Sequence, residues 1–320
     1  MQKNRDTKNR DTFYPAQIMQ NTYHQTVLLR QAVDNLISDP DGIYVDLTFG
    51  GGGHSREILN RLSPKGQLLA FDQDAAAAQN TINDSRFQLL QYNFRHVQRS
   101  LRLAGIRQVA GILADLGVSS FQFDTPERGF SYRFDAFLDM RMNQQGAEQT
   151  AQTILNQKTA ADLQLMFSNL GELRNAKTLA QAIVKARQRK PIETVQELLS
   201  VIEPNLIGNK YRYWGQVFQS LRMEANDEIA ALQDMLAQTA AVIAPQGRLC
   251  VITFHSLEDK LVKNWVKNGC FNDTPEKDFY GNVNLPFQTV HKKPLEPSPA
   301  EIAANSRAHS AKLRVAARND

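Results

Sequence analysis

The stretch GIYVDLTFGGGGHS, Gly42 to Ser55, decides the fold. An apolar run of strand length passes through four consecutive glycines straight into a helical segment, SREILNRL. Consecutive glycines allow positive φ and remove the Cβ atoms that would keep a ligand off the backbone. They also cost chain entropy, so a turn built from four of them is expected to hold something. The spacing reads two ways. Gly50-x-Gly52-x-x-Ser55 suits a dinucleotide, and Asp46-x-x-x-Gly50-x-Gly52 suits S-adenosylmethionine. Either cofactor carries a ribose, and Asp72, about twenty residues past the glycines at the end of the next apolar run, stands where a carboxylate accepts from ribose hydroxyls.

Working outward, GIYVDLTF (42–49), GQLLAFD (66–72), RFQLLQYN (86–93) and VAGILADL (109–116) are strand candidates, with one crossover helix expected in each gap. A fifth, GRLCVITF (247–254), follows a helical segment expected from Asn226 to Ala244 and closed by Pro245 and Gly247. QTVHKK (288–293) and AKLRVAAR (311–318) remain to close a sheet edge. This alternation predicts a mostly parallel, doubly covered α/β sheet. The roughly 110 residues between Leu116 and Asn226 exceed what one crossover needs, so an inserted helical domain is expected there. In such a sheet the ligand lies outside the carboxyl ends of the strands, which places Phe94 and Asp115 beside it. Phe94 then either covers a base or belongs to the core.

The chain has 320 residues, 42% of them hydrophobic and 22% charged, which excludes a disordered or collagenous protein. No apolar run approaches the roughly 20 residues of a membrane span, and the basic N-terminus is followed by no apolar segment of a signal peptide. A cytoplasmic protein without membrane contact is expected. The two cysteines, Cys250 and Cys270, make no disulfide framework, and Cys250 reads as a reduced core thiol. No Walker A, HExxH or clustered Cys and His pattern is present, and no metal is expected. Net charge is +4, and Arg174 to Lys190 holds six Lys or Arg without an acid, either a solvated helix face or a contact for a polyanion. Lys185 to Lys190 with Tyr211, Arg212 and Trp214 combine phosphate-neutralising charge with stacking faces, the chemistry of an RNA contact.

Beyond these patterns, HQTVLL (24–29), GIYVDLTFGGGGHS, LLAFDQD, ILADLGVSS (112–120), ERGFS (127–131), LDMRM (138–142), FQSLRMEANDE (218–228), ITFHSLEDKLVK (252–263) and SAKLRVAAR (310–318) occur in an order that resembles the ribosomal RNA small subunit methyltransferase H family. The resemblance runs nearly the whole chain. It implies a class I S-adenosylmethionine-dependent methyltransferase, a Rossmann-like sheet with an inserted helical domain, that methylates N4 of cytidine 1402 in 16S rRNA of the small ribosomal subunit; no protein partner is implied. Residue by residue it puts cofactor contacts on Gly52, Gly53, His54, Asp72, Phe94, Asp115 and Gln122. Residues 1–22 are expected as a flexible arm, 23–123 and 217–320 as the methyltransferase domain, and 124–216 as the substrate-recognition insertion. Two segments depart from the family's habit: FDAF (134–137), where a Gly-Pro pair is usual, and KYRYWGQ (210–216) before FQSLR.

The chemistry is an in-line displacement at a sulfonium methyl by an amine whose lone pair is partly delocalised into the ring, so the site must position it. Amino-methyltransferases of DNA bases often use an acid or amide followed by Pro-Pro and an aromatic; here the stretch is Asp115-Leu-Gly-Val-Ser-Ser120. Asp115 therefore either accepts from the amine or holds the cofactor. Asp115 and His255 are the candidate catalytic residues, with Glu258 beside His255 in the FHSLEDK segment. A dehydrogenase on the same turn would need a nicotinamide site, and a non-catalytic RNA-binding module would need no cofactor pocket.

Overall fold

A computed structural model describes residues 26–146, 149–275, 277–283 and 285–320. The N-terminal arm, 1–22, lies outside the described residues, as does the start of HQTVLL.

Seven strands form one sheet: β1 (Ile43–Asp46), β2 (Gln67–Phe71), β3 (Phe87–Leu90), β4 (Val109–Asp115), β5 (Ile243–Thr253), β6 (Phe287–Thr289) and β7 (Lys312–Arg318), in the spatial order β3-β2-β1-β4-β5-β7-β6. The first five are parallel, with Val45 opposite Leu69 and Ile112, and Leu113 opposite Cys250. β7 enters antiparallel between β5 and β6, pairing Cys250 with Val315 and Gln288 with Ala317. Successive side chains point to opposite faces. Accordingly Val45, Leu69, Ile112, Ala114, Leu249 and Val251 join one apolar cluster and Tyr44, Leu68, Leu113, Cys250 and Ile252 another. The first is covered by α3 (Val97–Leu103), α10 (Glu228–Val242) and α11 (Ser256–Asn268), the second by α1 (Leu29–Leu36) and α2 (Gly53–Arg61). Burial on both faces explains why these strands read as nearly continuous apolar runs. Cys250 is a free, fully buried thiol whose pKa burial pushes up to about 12.

Two expectations need correction. The β2–β3 gap holds no α-helix but a 3-10 stretch, Ala75–Asn80, started by Asp74, whose Oδ1 accepts from the Ala76 amide at 3.0 Å. The helix expected to reach Ala244 stops at Val242, and β5 starts at Ile243. Val109 pairs Ile243 while Gly111 pairs Arg248, so Ala244 to Gly247 bulge opposite a single residue, Ala110. Gln246, at φ 65°, makes that bend.

Between the fourth and fifth strands the chain builds α4 (Ser120–Asp124), α5 (Ala151–Gln157), α6 (Ala160–Asn169), α7 (Ala176–Arg187), α8 (Val195–Ile202) and α9 (Lys210–Ala225). These helices enclose a separate core running from Phe130 to Ala225, with Phe167, Leu179, Ile183, Val217 and Leu221 fully buried. Helix α9 is continuous through residue 216, and Tyr213, Trp214, Val217, Phe218, Leu221 and Ala225 on it pack into this second core. The last short helix, α12 (Pro299–Ala304), precedes β7.

Candidate active site

Asp46, at the end of β1, is fully buried and shapes the glycine turn from inside: its Oδ2 accepts from Ser55 Oγ at 2.6 Å and its Oδ1 from the Thr48 amide at 3.1 Å. Burial raises its pKa, and the Ser55 and Thr48 hydrogen bonds work against that. Gly52 caps α2 at φ 74°, the left-handed region that glycine enters freely. Gly53 is small for a different reason. A Cβ there would stand 1.9 Å from Thr26 Oγ1, so the space is filled by the chain's own threonine, while a Cβ on Gly51 would meet nothing within 4 Å. The open side of the turn is therefore at Gly51, a position the sequence reading did not single out. The amides that begin α2, at Gly53 and His54, face an N-terminus suited to an anionic group.

Asp72 closes the turn from β2. Its Oδ2 accepts from the Gly50 amide at 2.8 Å and its Oδ1 from the Asp74 amide at 2.9 Å, which leaves each oxygen one lone pair. Burial pushes its pKa up to about 6; the two amide bonds lower it, and the Asp74 and Asp46 charges add to the rise. His54 is buried and its pKa falls to about 4 through desolvation, so the ring is neutral at pH 7. Its Nδ1 lies 3.7 Å from Asp115 Oδ2. His54 Nε2 and Asp115 Oδ1 are buried without a hydrogen-bond partner. Asp115 is raised well above the usual carboxylate range, by burial first and then by the charges of Asp46 and Glu258.

A cleft opens at the carboxyl ends of the strands. Thr48, Phe94 and Gly117 line it from the sheet, Met142 and Met223 from the insertion, and Asn226, Glu228 and Glu258 from the junction. Phe94 is half-buried, one edge against the core cluster beneath the sheet. Gln122 is placed differently from Phe94. Its Oε1 accepts from the Ser119 amide at 3.1 Å and its Nε2 donates to Asp74 Oδ2 at 2.8 Å, so both ends of its amide are engaged in holding the loop after β4 to the loop after β2. His255 caps α11, its Nδ1 accepting from the Glu258 amide at 3.4 Å while Nε2 stands 3.0 Å from Glu258 Oε1. The ring does not line the cleft, whereas Glu258 does. Burial works to raise Glu258, but His255 and Arg222 outweigh it and the carboxyl lies below its usual value. Asn226 went unremarked in the sequence. Its amide donates to Met140 and Arg222 carbonyls and its Oδ1 accepts from the Met142 amide, tying the LDMRM segment to the end of α9. The acid-and-amide run ANDE leading out of a helix was the only visible sign of it.

Among the described residues no Lys or Arg lines this cleft, and Asp115, at the end of β4 just before the lining Leu116 and Gly117, keeps a buried carboxylate oxygen without a partner. A ligand carrying positive charge and a ribose fits such a donor set. The sheet order with an antiparallel β7, the glycine turn after β1 and the acid after β2 that closes that turn define a class I S-adenosylmethionine-dependent methyltransferase, and S-adenosylmethionine is the cofactor.

The chain belongs to the MraW methylase family, which matches residues 21–319. It is 52% identical to the Flavobacterium johnsoniae protein named ribosomal RNA small subunit methyltransferase H, over 92% of this chain and 97% of that one. Proteins of the same name from Parabacteroides distasonis and Christiangramia forsetii are 51% and 50% identical, each over 92% of this chain and 97% of theirs.

Proposed function

We propose that this protein transfers a methyl group from S-adenosylmethionine to N4 of cytidine 1402 in 16S rRNA, acting on the small ribosomal subunit in the cytoplasm. The observation that supports methyl transfer is the buried, unpartnered Asp115 carboxylate beside a cleft without cationic side chains, with His54 of the glycine turn next to it. The substrate is supported by the shared name of relatives that align over nearly their whole length.

When bound, S-adenosylmethionine supplies an electrophilic methyl on a sulfonium. The turn from Gly50 to His54 would admit it, with Gly52 holding the left-handed bend and the Gly53 and His54 amides free to meet its carboxylate. Asp72 would accept from the ribose hydroxyls through its two remaining lone pairs, and Phe94 would lie against the adenine. Gln122 acts through Asp74, fixing the loop that carries Asp72. Asp115 uses its open Oδ1 to accept a hydrogen bond from the incoming N4 amine, which aims the lone pair. Its raised proton affinity suits it to take the proton that N4 sheds after attack. His255 is a positioning residue: it caps α11 and holds Glu258 charged at the cleft wall. The inserted domain reads the RNA around the target.

Digestion of small-subunit rRNA to nucleosides, from cells with and without the gene, followed by mass spectrometry, tests the reading. N4-methylcytidine in the 1402 fragment should vanish without the gene and return with purified protein and cofactor. Its persistence in the deletion strain rejects the assignment.

A further inference from the structure

Outside the cleft, one surface cluster of side chains is not used by the chemistry above. The Arg133 guanidinium carbon lies 5.8 Å from the centre of the Phe134 ring and 5.1 Å from that of Phe123, and the Arg307 guanidinium lies 5.0 Å from the Phe123 ring. The four side chains therefore alternate as a ladder, Phe134, Arg133, Phe123, Arg307. Asp124 Oδ1 accepts from Arg133 at 3.2 Å and from Arg307 at 2.5 Å, and Arg307 also donates to Ser120 Oγ at 2.7 Å. One carboxylate thus serves two guanidinium groups, and the cluster keeps net positive charge.

The ladder stays in solvent, with Phe134 38%, Arg133 50% and Arg307 37% exposed. Exposed cation–π contacts contribute little to folding, and of the four side chains Phe123 is the one that packs against the insertion core, so Phe134, Arg133 and Arg307 are poorly explained as core. Their position is more telling. Helix α4 follows directly on Asp115 and Gly117, Arg307 lies just before Lys312, which pairs with Thr253 at the carboxyl end of β5, and Phe134 precedes by a few residues the Met142 that lines the cleft. The ladder is on the cleft side of the molecule.

We propose that this ladder is the docking platform for single-stranded RNA flanking the target nucleotide. An unpaired base extends the stack on the exposed Phe134 ring, and Arg133 and Arg307 face the phosphates beside it. Every base has a π-face, so such a platform tolerates sequence and selects for unpaired strands, while guanidinium groups add a salt-dependent backbone contact. A protein partner would leave the matched spacing of planar cations and rings without a use. The inference rests on reading the substrate as rRNA.

The test measures fluorescence anisotropy of full-length protein with an unstructured fluorescein-labelled RNA of about 12 nucleotides, alone and annealed to its complement. Wild type should prefer the single strand. Phe134→Ala and Phe134→Leu should weaken single-strand binding fivefold or more, Phe134→Tyr should restore it, and duplex binding should not change. Arg133→Gln should flatten the salt dependence. Affinity for S-adenosylmethionine and Tm should stay at wild-type values in all four. No strand preference in wild type, wild-type affinity in Phe134→Leu, or an equal loss on duplex overturns the platform; so does a fall in Tm with RNA affinity unchanged, which would make the ladder a latch between chain segments. Methyl transfer by wild type to small subunits, measured alongside, judges the rRNA reading separately from the binding data.

Discussion

Arg128 and Asp74 form a buried ion pair that joins the insertion to the end of the second strand: Arg128 Nη1 donates to Asp74 Oδ2 at 2.8 Å, and the two side chains are 6% and 11% exposed. Arg128 Nη2 also donates to the carbonyls of Arg141 and Met142, so one guanidinium holds the LDMRM segment against the loop that carries Asp72. Removing one partner of a buried pair leaves the other desolvated, and Arg128→Ala is expected to cost about 3–5 kcal/mol of stability. Chemical denaturation should read that loss. An Arg128→Ala protein within about 1 kcal/mol of wild type would show that the pair is not what joins the two domains.

The raised pKa of Asp72 gives S-adenosylmethionine binding a pH dependence with a definite sign. The ribose hydroxyls donate best to the ionised carboxylate, so binding pulls the folded-state pKa down from about 6. Affinity should be flat above that pH and fall by about tenfold per pH unit below it. The free protein behaves oppositely. Its carboxyl titrates above the ordinary 3.8, so the favourable contribution of the protonated form is present at low pH and is lost as pH rises from about 4 to about 6. Calorimetric titration from pH 5 to pH 8 checks the first statement. Asp72→Asn should weaken binding by a few kcal/mol at most and flatten the profile.

Asp115→Asn separates cofactor holding from chemistry. The substitution keeps size and one acceptor but removes the proton sink, so kcat should drop by roughly 10²- to 10⁴-fold while affinity for S-adenosylmethionine changes much less. A variant that loses affinity and keeps kcat at saturating cofactor would confine Asp115 to binding. His255→Gln is expected to act through Glu258, lowering kcat less than tenfold and shifting its pH profile.

Much of this was legible beforehand because the deciding features are local. A buried parallel strand must be apolar along its length, and a ligand-holding turn must be glycine-rich, so GIYVDLTFGGGGHS announced both strand and turn. The ends of elements were harder. Pro245 and Gly247 looked like a helix stop, yet the helix ends before them because Ile243 already pairs Val109, and the proline sits in a bulge. Contacts between distant segments left no local trace: nothing in the sequence says that Gln122 spends its amide on Asp74, that Thr26 occupies the space at Gly53, or that Asn226 fastens Met142.

The basic segment of α7 is narrower than its sequence suggests. Lys190 is paired with Glu197, and Arg187 Nη1 donates to the Leu155 carbonyl at 2.6 Å, while Trp214 is 8% exposed and packed edge-on against Tyr132. Lys185 and Arg189 remain exposed, and Tyr211 is the exposed ring. Replacing Lys185 and Arg189 by Ala should flatten the salt dependence of RNA binding by about 1.4 to 1.8 in log–log slope if both meet phosphates. An unchanged slope would make this face an ordinary solvated helix.

The last prediction concerns how the target base is presented. A cytosine amine paired in a duplex lies inside the stack, whereas Asp115 is buried beside a cleft lined by Thr48, Phe94 and Gly117 on one side and by Met142, Met223 and Asn226 on the other. The nucleotide must therefore arrive unpaired or flipped, at an unstacking cost of a few kcal/mol. The walls are tied together by the Asp74–Arg128 pair and by the bidentate Arg222–Glu228 pair at 2.8 and 2.9 Å, so the cleft does not widen easily to take a helix. Local RNA structure that holds the cytosine out should then lower the barrier. Transfer of labelled methyl to assembled small subunits and to protein-free 16S rRNA should exceed transfer to a short duplex containing the same cytosine by at least tenfold in kcat/KM, since tenfold needs only about 1.4 kcal/mol of that unstacking cost. Equal rates on all three substrates would mean that the cleft opens far enough to admit paired RNA.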